Sequence, residues 1–465
     1  MDDGLDLRSA AREIFTEALQ SVDAGRAVRE AVRLAGSRLT VVDQEFDTGA
    51  CSAIYAIAVG KAAGSMAVAL DSVLGDELAG GVVSTVPTEL HISNRWRVFA
   101  GGHPTPNEAS LAAAQASFDL LRQADASALV IFLISGGGSA MLEWPRSAQT
   151  TLAELREANR VLTSCGATIA EINAVRRHFS AVKGGKLSDH APHAHQVTLI
   201  ISDTNQGDEA NVASGLTLVP PAAAVDAASV IERYKLAARL PQSIFQTINQ
   251  PDTRASEHNV RSRRRHYVLL DNERAMKQAA AAAHARGFTV EIERDIVEQP
   301  IVEGCRMLVS RLLDLYVRAG RGQVVCSISG GEFACPVRGP GLGGRNVETA
   351  LRCAFEMTGQ AHRSDFETLQ IVALSAGTDG VDGNSPAAGA LSDSTTLHRA
   401  HTLNLDAQNF LDASDAYTFF ANLGDAVMTG PSGTNVRDLR IMLASKSSRF
   451  KVQSSRPEGA SDLEP

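Results

Sequence analysis

A chain of 465 residues with 44% apolar and 21% charged side chains has room for a large core and for two to four structural domains. Its net charge of −9 gives no electrostatic help to nucleic-acid binding. The acidic N-terminus MDDGLDLRS has no secretory apolar region, and no apolar run reaches the about 18 residues that cross a bilayer. A cytoplasmic protein that engages neither nucleic acid nor membrane is expected, with six scattered cysteines as buried thiols.

Leu7 to Leu34 reads as one or two amphipathic helices, with Ala10, Ile14, Phe15, Leu19 and Val22 at helical spacing. Ile54 to Val59 is the first clear strand, followed by Gly60, Lys61 and a helix to Leu74. Gly80 to Val86 is a second strand. The loop GGHPTPNEAS (101–110) leads into a helix that Asn107 can cap and Glu108 favours. Leu129 to Leu142, LVIFLISGGGSAML, organises the rest. Its continuous apolar half suits a strand buried on both faces, as in a parallel sheet. Ser135, Gly136, Gly137, Gly138 and Ser139 then leave backbone amides uncovered ahead of a helix, where an anion such as a phosphate can lie.

Helices are expected over Thr151 to Ser164, Ile169 to Leu187 (stopping at Gly184–Gly185) and Ala222 to Leu240. Between the last two, a strand from Val197 ends in Asp203 and Asp208. Residues 242–265 turn polar and read as a linker. The strand His266 to Leu270 opens a second half, which continues with a helix (273–286), a strand (288–293) and a helix (302–319). Val324 to Glu332 repeats the strand-Ser-Gly-Gly pattern and ends at Gly330 and Gly331. Ile371 to Asp382 ends in Asp379 and Asp382. The Ser/Pro/Glu-rich residues 445–465 are expected to be a disordered tail. Strands alternating with helices argue for α/β structure. Five polar strand tips point to an active-site crest, because ligands of open α/β sheets bind beyond the carboxyl ends of the strands.

Lys61, between a strand and a helix, can reach a phosphate as a point charge, although the full phosphate-loop motif is not met. Arg345, among the glycines of GPGLGGRN (339–346), offers a fork for phosphate or carboxylate. Paired carboxylates beside a phosphate cradle suit Mg²⁺. Asp203 and Asp208 are the expected ligands, with Asp379 as a base or a water-mediated ligand. Arg176 and Lys183 are candidates for a substrate carboxylate, against the plainer reading of a solvated charged face. His190, His193 and His195 match no zinc spacing. There is no G-x-S-x-G elbow, no early G-x-G-x-x-G after a strand and no protein-kinase signature.

AVGKAAGSMA (58–67), GGHPTPNEAS, LISGGGSAML (133–142), EINAVRRHFSAVKGGKL (171–187), ISDTNQGDEANVASG (201–215), ISGGE (328–332), GLGGRNVE (341–348), LSAGTDGVDG (374–383) and GPSGTNVRDL (430–439) occur in that order. Together they resemble the glycerate 2-kinase family that carries a C-terminal MOFRL domain. The resemblance spans about Leu7 to Leu443. It implies ATP- and Mg²⁺-dependent phosphorylation of D-glycerate at its 2-hydroxyl, with an essential lysine at Lys61 and an essential arginine at Arg345. ATP phosphates are expected on residues 135–139 and on Gly330 and Gly331, and Asn346 beside the substrate. The expected fold is two α/β domains, the first (1–241) a Rossmann-like, mainly parallel sheet flanked by helices and the second (266–444) of MOFRL type, with the active site in the cleft between them. A homodimer is compatible with this reading. The sequence departs from the family at Leu216, Phe333–Ala334, Val347 and Ala413–Ala416, around the expected pocket. An NAD(P)H-dependent hydroxypyruvate reductase and a non-catalytic or altered-specificity homologue stay open as alternatives.

Overall fold

The computed structural model describes residues 6–220, 225–250, 263–320, 322–360 and 369–446. A small antiparallel sheet of β1 (Val32–Ala35), β2 (Arg38–Val41) and β3 (Gln44–Asp47) precedes the first large sheet. That sheet contains β4 (Ile54–Val59), β5 (Leu78–Thr85), β6 (Trp96–Ala100), β7 (Leu129–Ser135), β8 (His195–Ile201) and β9 (Arg264–Leu270). Its order is β6-β5-β4-β7-β8-β9, with every neighbouring pair parallel.

Every residue of β7 is buried, as its unbroken apolar run predicts. Successive side chains go to opposite faces. Leu129, Ile131 and Leu133 pack with the helices Ala24–Ala31 and Ala63–Leu74; Val130, Phe132 and Ile134 pack with Glu108–Leu121. Burying one such side chain contributes about 1.5–3 kcal/mol. The helix 108–121 starts where expected, with Asn107 accepting from the Ser110 amide. Thr151 with Glu154, and Thr168 with Glu171, form capping boxes on two further helices, Leu152–Thr163 and Ile169–Phe179.

The second large sheet holds β10 (Thr289–Glu293), β11 (Val325–Gly331), β12 (Leu369–Gly377), β13 (Gly389–Asp393), β14 (Ala426–Val427) and β15 (Asp438–Lys446), in the order β10-β11-β15-β12-β13-β14. The last strand runs antiparallel between β11 and β12 and fills the centre. The helices Leu7–Ser21 and Asn272–Ala285 cover one face, and Ile301–Ala319 covers the other.

Several elements differ from the expectation. The strand expected to open the second half is β9, which closes the first sheet against β8. The N-terminal helix crosses to the second sheet, where Ala10, Ile14 and Phe15 pack with Met276 and Ala279. The helix expected to reach Leu187 stops at Phe179, and residues 180–187 turn inward. The expected linker begins with a helix, Gln242–Ile248, while residues 251–262 lie outside the described residues. Of the expected tail, Ser445 and Lys446 complete β15 and the rest lies outside the described residues. No described helix is long and apolar enough to cross a membrane.

Candidate active site

Parallel strands end at one edge, so the tips of β4, β5 and β7 share one side of the first sheet. In the second sheet β11 and β12 end, and the antiparallel β15 begins, on a common side. The two sides meet across a cavity of about 1110 Å³, lined by Lys61, Thr85 and His103 from one sheet and by Arg345, Asp379 and Asp382 from the other.

Lys61 is placed by a tight crossing of β4 and β7. A Cβ on Gly60 (φ 122°) would lie 2.4 Å from the Ser135 carbonyl oxygen, so only glycine allows the approach. The Lys61 amide then donates to Gly136 O at 2.9 Å and the Ala62 amide to Ser135 Oγ at 3.1 Å. From this turn Lys61 Nζ donates to Asp379 Oδ2 at 2.8 Å. The tip of β4 is thereby joined to the tip of β12 by an ion pair that borders the cavity.

The glycine loop lies behind Lys61. A Cβ on Gly136 would fall 1.9 Å from Asp203 Oδ2, and one on Gly137 would meet Lys61 Cγ at 3.2 Å and His103 Cε1 at 3.5 Å. Asp203 and His103 thus sit directly against the loop. The helix that follows is one turn, Gly138–Met141. Ser139 Oγ shares a hydrogen bond of 2.5 Å with Ser214 Oγ, which donates to Asn173 Oδ1. Burial pushes the Asp203 carboxyl up; its own backbone amide and the charges of Lys61 and Arg437 pull it back. Asp208 is exposed, whereas Asp203 is packed against the glycine loop. Among the described residues no three His, Cys, Asp or Glu side chains group as a metal centre.

Arg345 opens the helix Arg345–Gln360. Its Nε donates to Asp438 Oδ2 at 2.5 Å, and Nη2 reaches Glu332 Oε1 at 2.7 Å. Burial works against the guanidinium, but Asp438 and Glu332 outweigh it and push its pKa up. Asp382 accepts from the Asn346 and Val347 amides at 3.1 and 2.8 Å and so caps that helix. Asn346 lies beneath: Nδ2 donates to Asp438 Oδ1 at 2.9 Å and Oδ1 accepts from Ser375 Oγ at 2.7 Å. It is buried as a brace and does not line the cavity, contrary to the substrate-contact expectation.

Burial, with Asp438 nearby, raises the Asp382 carboxyl to about 7, and the two helix amides partly oppose this. An acid raised in the folded state holds its proton between pH 4 and 7 while the unfolded chain has lost it. Its contribution to stability therefore falls as pH rises through that window and levels off above 7. Asp382→Asn removes this slope. Urea denaturation at pH 5 and pH 8 should show the variant gaining on the native protein at the higher pH; an unchanged difference would refute the raised pKa.

Other expected site residues lie elsewhere. Gly330 and Gly331 face Asn272, whose Oδ1 accepts from the Gly331 amide at 2.9 Å; a Cβ on Gly330 would overlap that oxygen at 1.7 Å. Close packing fixes these glycines, and neither lines the cavity. Arg176 is buried, with Nε donating to Asn159 Oδ1 at 2.9 Å. Lys183 is fully buried and pairs with Glu143. The early end of the helix at Phe179 turns Lys183 into the core, away from the cavity. Lys61, Arg345 and Asp379 are the expected residues that line the cavity.

Sequence reasoning gave no role to His103, Glu332, Arg437 or Asp438. The last two belong to GPSGTNVRDL, whose juxtaposed Arg and Asp were the available signal. Arg437 adopts φ 73° and its Nη2 reaches Glu298 Oε1 at 2.7 Å. Of the family departures, Phe333, Ser414 and Ala416 line the cavity, whereas Leu216 and Val347 are core residues. The Phe333 ring carries the buried Arg440 guanidinium 3.7 Å from its centre.

Comparison with known proteins gives a consistent picture. A family model described as a domain of unknown function (DUF4147) matches residues 10–249, and the MOFRL family model matches residues 325–438. The chain is 32% identical to the D-glycerate 2-kinase of Thermotoga maritima over 95% of its length and 100% of that protein. It is 35% identical to an Agrobacterium vitis protein provisionally named a hydroxypyruvate reductase, over 94% of each. A crystal structure of glycerate kinase from Thermotoga maritima superposes with a TM-score of 0.76 at 30% identity, over 94% of this chain and 99% of that one.

Proposed function

Because the chain belongs to the glycerate 2-kinase family with a C-terminal MOFRL domain, we propose that it transfers the γ-phosphoryl group of ATP to the 2-hydroxyl of D-glycerate, giving 2-phosphoglycerate and ADP. The observation that carries this reading is the meeting of Lys61 and Arg345, from two different sheets, on one cavity. Phosphoryl transfer asks a protein mainly to position two substrates and neutralise charge. A cavity of about 1110 Å³ has room for both substrates.

Lys61 would meet the transferring phosphoryl group as a point charge, and Arg345 would meet it, or the acceptor carboxylate, through the guanidinium N–H groups that Asp438 and Glu332 leave free. The phosphate chain would lie toward the side-chain-free amides of residues 136–138, beside Lys61. The residues fit Mg²⁺ as an ion shared with the nucleotide: Mg²⁺ keeps waters and takes one or two carboxylates plus phosphate oxygens. Asp203, a carboxylate disfavoured by its own burial, would hold it. The ion would neutralise phosphate charge. A reductase reading lacks support in the residues, since the turn after β7 reads Ser-Gly-Gly-Gly-Ser-Ala rather than a dinucleotide fingerprint.

The test is purified protein with ATP, Mg²⁺ and D-glycerate, coupled to enolase, which consumes only 2-phosphoglycerate. An enolase signal is expected. ADP release without it would assign another hydroxyl or another acid, and silence with ATP still bound would sink the kinase reading.

A further inference from the structure

His103 is a cavity residue that the charge-neutralising scheme leaves without a task. It stands in the loop after β6, and that loop is firmly seated. The Gly101 amide donates to Thr85 O at 3.0 Å and the Gly102 amide to Ser110 Oγ at 2.9 Å. Asn107 Nδ2 donates to Ala100 O at 3.0 Å. A Cβ on Gly101 would press 2.6 Å from Met141 O, so the loop rests on the turn that follows the glycine loop. These contacts hold the imidazole beside Gly137 and Lys61, on the wall of the cavity. Among the described residues no hydrogen bond engages the ring. It is a positioned acceptor with nothing to accept from.

Transfer to an alcohol releases the hydroxyl proton, which needs a destination within hydrogen-bond reach. Of the carboxylates on this cavity, Asp379 is ion-paired with Lys61 and Asp382 is engaged by the Asn346 and Val347 amides, whereas the His103 ring has no partner among the described residues. We propose that His103 is the general base of the transfer, taking the proton of the acceptor hydroxyl on a ring nitrogen. This rests on the kinase reading and adds a residue to it. The hydroxyl oxygen forms the new bond to the γ-phosphorus. The bond from that phosphorus to the bridging oxygen breaks, ADP leaves with the electron pair, and the proton passes to the imidazole, which returns it to solvent before the next cycle.

The charged groups facing the ring are Lys61, from the turn after β4, and Asp379, from the turn after β12. Burial and then the Lys61 charge hold the imidazole below its usual value, and Asp379 opposes them. Burial and the Lys61 charge both favour the neutral ring, the form able to accept, and Lys61 favours loss of the proton after transfer.

The test compares the native chain with His103→Gln and His103→Asn, measuring ATP affinity by titration and glycerate turnover by the coupled assay. The ring is exposed to the cavity, so both variants should melt with the native protein. A general base contributes about 10²–10⁴-fold, so kcat should fall at least about 100-fold while ATP affinity stays within about threefold. A folded variant that turns over glycerate within about tenfold of native would overturn the proposal. So would loss of ATP affinity in parallel with turnover, which marks a structural role. Silence of the native chain would instead overturn the kinase reading, and this assignment with it.

Discussion

Arg345→Lys should lower glycerate turnover by about 10³-fold or more while the protein remains folded. An arginine placed on a transferring phosphoryl group is worth about 10³–10⁵-fold. Lysine keeps the charge but loses the planar fork. That fork is already oriented: Asp438 takes Nε, and Glu332 takes Nη2. A lysine ammonium has three donors but no fixed fork, so it cannot hold Asp438 and Glu332 in the arginine's geometry and also present a planar edge to a phosphoryl group. Arg345→Ala should lose similar activity and also stability, because Asp438 is only 4% exposed and would be left without its cation. Stranding a buried charge costs about 3–5 kcal/mol; the cost here should sit at or below the low end, since the arginine is itself one-third exposed. Coupled-assay kinetics and urea denaturation on both variants separate the two effects. Turnover of the lysine variant within about tenfold of native would remove Arg345 from the transfer step.

The legible parts of this protein are those in which the chain's local pattern and its tertiary role coincide. β7 is fully buried and reads as an unbroken apolar run; the helix at Glu108 announces its cap at Asn107. Lys61 and Arg345 were legible because glycines crowd them, and glycines are needed where strand tips cross closely, as Gly60 does over Ser135. The same signal misled at Gly330 and Gly331, where the close neighbours are the Asn272 side chain and Val297. A glycine reports that something approaches; it does not say whether that is a ligand or the protein. β9, RRHYVLL, lies at the sheet edge with a mixed surface, so its pattern does not tell which sheet it joins. β15 presents the N-terminal end of an antiparallel strand to the cavity, which hid Arg437 and Asp438 from a search for polar residues after strands. Asp382 was visible as one of two aspartates after β12. Its work as a helix cap depends on the approach of Gly344, where a Cβ would lie 2.3 Å from Asp382 Oδ1.

Lys183→Met should destabilise the protein by about 3–5 kcal/mol, the cost of removing one partner from a buried ion pair. The Lys183 and Glu143 side chains are each 1% exposed. Burial pushes the Lys183 pKa down, and Glu143 opposes that shift. Glu143 also accepts from Ser180 Oγ at 2.5 Å and from the Trp144 amide at 3.0 Å. It therefore ties the segment after the glycine loop to the turn after Phe179. Without Lys183 this carboxylate keeps the Ser180 and Trp144 donors and the nearby charge of Arg176, but loses its direct ion-pair partner. Adding Glu143→Gln should restore most of the loss, because a buried pair replaced as a whole is often neutral in stability. Urea denaturation of the single and double variants measures the coupling; equal stabilities would mean that the pair is not formed. The double variant also decides what Lys183 is for. If it held the acceptor carboxylate, KM for glycerate would rise at least about tenfold, the weight of a charge-assisted hydrogen bond. If its partner is Glu143, as the geometry has it, KM should stay within about threefold once the fold is restored. A lysine in a polar, helix-like stretch of sequence can serve either a ligand or a buried carboxylate, and the choice is made by where the helix ends.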